Sequence, residues 1–158
     1  MTLVDPEQKF GIKLRHRRTT RTVEQKYSLL AGVITVVLGA CGFFWTGFSN
    51  FAEPSGRAIF GIFPSNPYHN ILYLVLGLLW LLAAFALTPA GTEGVNIALG
   101  AVLVLATVLG FLGYWESLLS IPPGANADNF LHLALAIATL LFGSGLLRAT
   151  GSGRAVAE

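Results

Sequence analysis

Residues 66–87 read NPYHNILYLVLGLLWLLAAFAL, and from Asn70 to Leu87 the run contains no Lys, Arg, Asp or Glu. As a helix, that run would rise about 27 Å at 1.5 Å per residue, close to the roughly 30 Å of a bilayer's hydrocarbon core. A charge at the centre of such a helix costs about 2.5–3.5 kcal/mol on insertion, while each Leu, Ile, Val or Phe favours it by about 0.3–0.6. The stretch therefore reads as a membrane span that opens on a group of polar residues.

Three more blocks of the same kind lie at about 28–48, 95–115 and 129–147, each without Lys, Arg, Asp or Glu. The segments between them contain Pro54, Pro64 and Pro67, the run TPAGTEG from Thr88 to Gly94, and Pro122, Pro123 and Gly124; such clusters interrupt helices. The expected fold is all-α: an integral membrane four-helix bundle over residues 28–148, between a basic tail (1–27) and a short tail (149–158). At 54% apolar and 11% charged residues, against about a quarter charged in soluble domains, a separate soluble domain is not expected. Cys41 is the only cysteine, which excludes an intramolecular disulfide.

Charge placement sets the expected orientation. Seven of the ten Lys and Arg residues lie between Lys9 and Lys26, Arg148 and Arg154 follow the last block, and the first and third connections together hold only Arg57. Cytoplasmic segments are the ones enriched in Lys and Arg, so both termini and the Thr88–Gly94 connection are predicted to face the cytoplasm. Lys13, Arg15, Arg17, Arg18 and Arg21 are expected to contact anionic lipid, at about 1 kcal/mol each, or an acidic partner protein. Nucleic acid is not an expected partner, since no binding fold or aromatic platform accompanies the charges.

The chain also resembles itself. With Asn70 set against Asn129, His69 falls on Asp128, Leu72 on Leu131, Tyr73 on His132 and Leu74 on Leu133. This predicts two tandem helical hairpins in the same orientation, related by an axis along the membrane normal. FGIFPSNPYHNILYLVLGLLWL in the first hairpin and IPPGANADNFLHLALAIATLLFG in the second resemble the bacterial four-helix membrane family catalogued as domain of unknown function 4383. The resemblance covers about residues 28–148 and implies the four-helix fold and a location in the bacterial inner (plasma) membrane, with no activity attached. It also implies that a His often stands where this chain has Tyr73.

Polar residues cluster at the starts of the second and fourth blocks. Asn66, Asn70, Asn126, Asp128 and Asn129 are expected to act as structural caps and interhelical hydrogen-bonding groups that hold the two hairpins together at one face, accepting from free N–H groups and complementing the positive end of the helix dipole. His69, Asp128 and His132 are candidate ligands for a metal, a haem or a quinone, although His69 is expected just outside its helix and aligned with Asp128 instead of His132. Small-residue pairs Ala106 with Gly110, Ala134 with Ala138 and Thr139 with Gly143 suit close helix packing. Phe43, Phe44, Trp45, Phe48, Tyr114 and Trp115 suit an interfacial belt. The functional expectation is a non-enzymatic accessory or stabilising subunit of a larger membrane complex, contacting lipid and other membrane subunits and carrying no metal and no cofactor. The alternatives are a small channel or transporter and a redox protein binding a cofactor through the histidines.

Overall fold

The computed structural model describes residues 21–147. Its elements are α1 (Val23–Thr46), β1 (Ala58–Ile59), β2 (Phe63–Pro64), α2 (Pro67–Ala86), α3 (Pro89–Phe111), α4 (Glu116–Leu119) and α5 (Ala127–Gly143). Helices α1, α2 and α3 are long and apolar enough to cross a membrane, and α5 is a shorter apolar helix of 17 residues. Lys13, Arg15, Arg17 and Arg18 lie outside the described residues.

Helix ends depart from the apolar blocks for local reasons. Helix α1 starts at Val23, ahead of its block, because Gln25 is buried there: its Oε1 accepts from the Thr22 N–H at 3.3 Å and its Nε2 donates to the Leu87 carbonyl at 2.9 Å. Helix α3 starts at Pro89 within the TPAGTEG run. Thr88 accepts from the Gly91 N–H at 3.2 Å and Pro89 takes the first helical position, where its missing N–H costs nothing. The same proline that breaks a helix internally here begins one. Helix α3 ends at Phe111 instead of near Trp115, since the chain turns at Gly113 with φ 87°. Helix α5 ends at Gly143 instead of Leu147, and Gly145 follows with φ 73°.

The connection from α1 to α2 holds the one departure from an all-helical chain among the described residues. Ala58 pairs with Pro64 and Ile59 with Phe63 in a short antiparallel ladder, turned through Phe60 and Gly61 at φ 55° and 72°.

Helix α1 packs along α2, and α3 along α5, with thinner contacts between the two pairs. Glycines set these close approaches. A Cβ on Gly32 would meet Leu81 and one on Gly100 would meet Leu140; one on Gly42 would meet the Asn70 side chain and one on Gly110 that of Asn129. Gly100 and Gly110 thus stand to Leu140 and Asn129 as Gly32 and Gly42 stand to Leu81 and Asn70, so the two hairpins are built alike. Of the small residues expected at contacts, Gly110, Thr139 and Gly143 are buried and Ala134 is exposed; Ala136, not among them, is fully buried.

Burial is inverted relative to a soluble bundle. Ser28, Thr35, Asn96, Thr107 and Thr139 are inside, while Leu30, Leu78, Leu105 and Ile137 are each more than half exposed. Across the hairpins Ser28 Oγ donates to Asn96 Oδ1 at 3.0 Å, and the Tyr27 and Thr139 hydroxyls share a hydrogen bond of 2.6 Å. Around them pack Ala31, Trp80, Leu99, Leu103 and Ala136. Exposed apolar area on this scale requires an apolar surrounding, and with the three long apolar helices it makes this a multi-pass membrane protein.

Candidate functional site

Helices α2 and α5, the second arms of the two hairpins, begin at the same face of the bundle, beneath the two long connections. Asn66 caps α2, its Oδ1 accepting from the His69 N–H at 2.9 Å. Its amide nitrogen donates to the Glu53 and Leu118 carbonyls at 3.2 and 2.8 Å, so one side chain joins both connections to the helix start. The Ser55 N–H donates to Ser120 Oγ at 2.7 Å and joins them again. Asn126 caps α5, accepting from the N–H groups of Asp128 and Asn129 at 3.1 and 3.0 Å.

Asn70, Asp128 and Asn129 lie inside their helices, and their side chains do not cap; Asn70 and Asp128 make the interhelical hydrogen bonds that were the other half of the expectation. Asn70 Nδ2 donates to Thr46 Oγ1 at 2.7 Å and its Oδ1 accepts from Ser65 Oγ at 2.9 Å, fixing α2 to the end of α1. Asn129 Nδ2 donates to the Gly124 carbonyl at 2.9 Å. Asp128 reaches across to the other hairpin, where Tyr73 Oη donates to its Oδ1 at 2.7 Å.

His69 is the third residue of α2 and so within the helix, contrary to the expectation from sequence. Tyr73 follows one turn later on the same face, and the two rings stack with centroids 4.5 Å apart and planes 22° apart. Asp128 and His132 are likewise one turn apart on α5. His69 Nε2 lies 3.7 Å from Asp128 Oδ2, and the His69 and His132 rings meet at 5.8 Å and 60°. The sequence alignment of His69 with Asp128 and of Tyr73 with His132 suggested that the histidines do not pair; the fold uses those correspondences differently, because equivalent positions of two like hairpins face each other across their common axis.

All four side chains are buried, with Asp128 fully so and His132 5% exposed. One ligand atom from each of His69, Asp128 and His132 lies within 4.8 Å of the others. Asp128 Oδ2, His132 Nδ1 and both His69 ring nitrogens make no hydrogen bond of good geometry; the Pro64 and Leu119 carbonyls are the backbone groups beside the His69 ring. Unpaired buried polar atoms each cost about 1–3 kcal/mol, so Asp128 Oδ2 and His132 Nδ1 side by side mark an arrangement that packing alone does not explain. Two imidazoles and a carboxylate are donors that suit a metal ion or a polar head group.

A cavity of about 290 Å³ adjoins this centre between α2 and α3. Leu72, Leu76, Val102, Leu103 and Ala106 form its apolar wall, and His69, Tyr73 and His132 form its polar end. Trp115, expected in the interfacial belt, turns inward to line the cavity and donates its Nε1–H to the Ala106 carbonyl at 2.8 Å. Phe44, Phe48 and Tyr114 are strongly exposed, and Phe43 stacks on Phe48 at 4.8 Å. At the opposite end Arg21 sets its guanidinium 4.6 Å above the Phe85 ring. Ser65, Thr46 and Gly42 were not singled out from sequence; Tyr73 stood there only as the counterpart of His132, and Gly110 was expected at a helix contact, where it lies against Asn129. The one legible signal was the four-residue spacing of His69 to Tyr73 and of Asp128 to His132, which puts each pair on one helix face.

Two paired, inverted-burial hairpins that share a polar centre near one face define the class: a multi-pass helical membrane protein. The family model described as "Domain of unknown function (DUF4383)" matches residues 25–145, and the chain belongs to that family. No curated protein and no solved structure matches it.

Proposed function

We propose that this is a non-enzymatic four-span membrane-embedded binding protein, with both termini and the α2–α3 turn cytoplasmic and the polar centre near the outer surface. Four spans require α5 to cross although its 17 residues rise only about 25 Å; local thinning and a modest mismatch cost fractions of a kcal/mol per Å. The orientation is supported by nine Lys and Arg residues on one side against one on the other. That one, Arg57, has a local use: its Nη1 donates to the Thr46 and Trp45 carbonyls at 2.9 and 3.3 Å, satisfying acceptors at the end of α1. The like construction of the hairpins supports a tandem duplication.

The observation that carries the functional reading is the convergence of ligand atoms from buried His69, Asp128 and His132 within 4.8 Å of one another beside an apolar cavity. An accessory-subunit role rests on exposed apolar helix faces, which lipid covers as well as a protein would. Lipid contact on those faces leaves the polar centre unaccounted for.

Native mass spectrometry of the full chain extracted in gentle detergent tests this. A small molecule or ion retained at one per chain, and lost from His132→Ala, is expected. A stoichiometric polypeptide partner with nothing retained at the centre would overturn the binding reading in favour of the accessory subunit.

A further inference from the structure

We propose that His69, Asp128 and His132 hold one divalent first-row transition-metal ion that ties the two hairpins together; the inference rests on the binding reading above and names its ligand. Zinc sites bind imidazole nitrogen and carboxylate oxygen at about 2.0–2.2 Å, which places tetrahedral ligand atoms roughly 3.4 Å apart. The donor atoms here lie within 4.8 Å of one another, and His69 Nε2 and Asp128 Oδ2 are already at 3.7 Å. Bringing 4.8 Å to the tetrahedral spacing takes a movement of about 1.4 Å, shared between the side chains.

Three features favour a metal over a merely polar core. Asp128 presents one oxygen, Oδ1, to the Tyr73 hydroxyl and leaves Oδ2 without a partner. That is the division of labour of a ligating carboxylate held by an outer hydrogen bond, which fixes its orientation. Asp128 and His132 come from successive turns of α5 and His69 from α2, so the ligands span both hairpins. The donors are two nitrogens and one oxygen, a set that suits zinc, iron or cobalt and not calcium or magnesium, which take oxygen ligands. A dication also offsets a carboxylate that is fully buried among apolar helices. With three protein ligands, a fourth position remains, and both histidines line the cavity, where a small ligand would complete the coordination.

The test uses the full chain in detergent, stripped with a chelator and titrated with Co²⁺ as a spectroscopic probe and with Zn²⁺ in competition. One Co²⁺ per chain is expected, with visible ligand-field bands that Zn²⁺ abolishes and that Cys41→Ser leaves unchanged. Asp128→Asn and His132→Ala should each abolish the bands, and Tyr73→Phe should weaken binding by about 10- to 100-fold. Helical circular dichroism and elution volume check that each variant is folded. Asp128→Asn still offers Tyr73 an acceptor, so it separates lost ligation from lost packing. Wild-type protein that takes up no stoichiometric ion, or uptake that survives both Asp128→Asn and His132→Ala, overturns the metal. If wild type binds no ion but retains an organic molecule that His132→Ala loses, the metal fails and the binding reading stands. If it retains neither, with water filling the centre, both fail.

Discussion

Single residues at the helix contacts have consequences that depend on who faces them. A Cβ at Gly110 would occupy the space of the Asn129 side chain, which cannot retreat without breaking its bond to the Gly124 carbonyl. Overpacking of this kind costs about 1–3 kcal/mol, so Gly110→Ala should lower the unfolding midpoint in detergent. Gly94→Ala is the control. It lies in the same helix with nothing within 4 Å, and should leave stability unchanged or raise it by about 0.5–1 kcal/mol. Tyr73→Phe removes the hydroxyl that donates to Asp128 Oδ1. Leaving that oxygen without its donor should cost about 1–3 kcal/mol, read in the same unfolding assay. The sequence marked Gly110 as suited to a close helix contact but not that Asn129 faces it, and the role of Tyr73 was not legible, because a tyrosine in an apolar run looks alike whether it faces lipid or a carboxylate.

At the scale of elements, the apolar blocks located the helices because transfer energies accumulate along the chain. They did not locate the ends. Thr88–Pro89 and Asn66–Pro67 read equally as helix breakers and helix starts, and only the cap hydrogen bonds to Gly91 and His69 decide. The end of α1 depends on a residue from the connection that follows it, since Arg57 covers its carbonyls. Arg57→Ala should therefore loosen the last turn of α1 and the β1–β2 connection. The expected cost is about 1 kcal/mol, with faster amide exchange at residues 43–47 as the measurement. Unchanged exchange there would remove Arg57 from this role.

At the scale of the whole molecule, the proposed topology makes a direct prediction. In a Cys41→Ser background, Glu53→Cys and Ser117→Cys should react with an impermeant thiol reagent from outside intact cells, and Ala90→Cys only after the membrane is opened; all three positions are exposed. Labelling of Ala90→Cys in intact cells would contradict the proposed orientation. By itself the sequence determined that the chain belongs in a membrane, where its apolar helices lie and which family it resembles. These follow from sums over neighbouring residues and from short matching segments. The tertiary structure alone decided that His69 and Tyr73 meet Asp128 and His132, because those contacts join residues more than fifty positions apart. No local period encodes such a meeting; it results from glycine-set packing within each hairpin and from the way two like hairpins face each other across one axis.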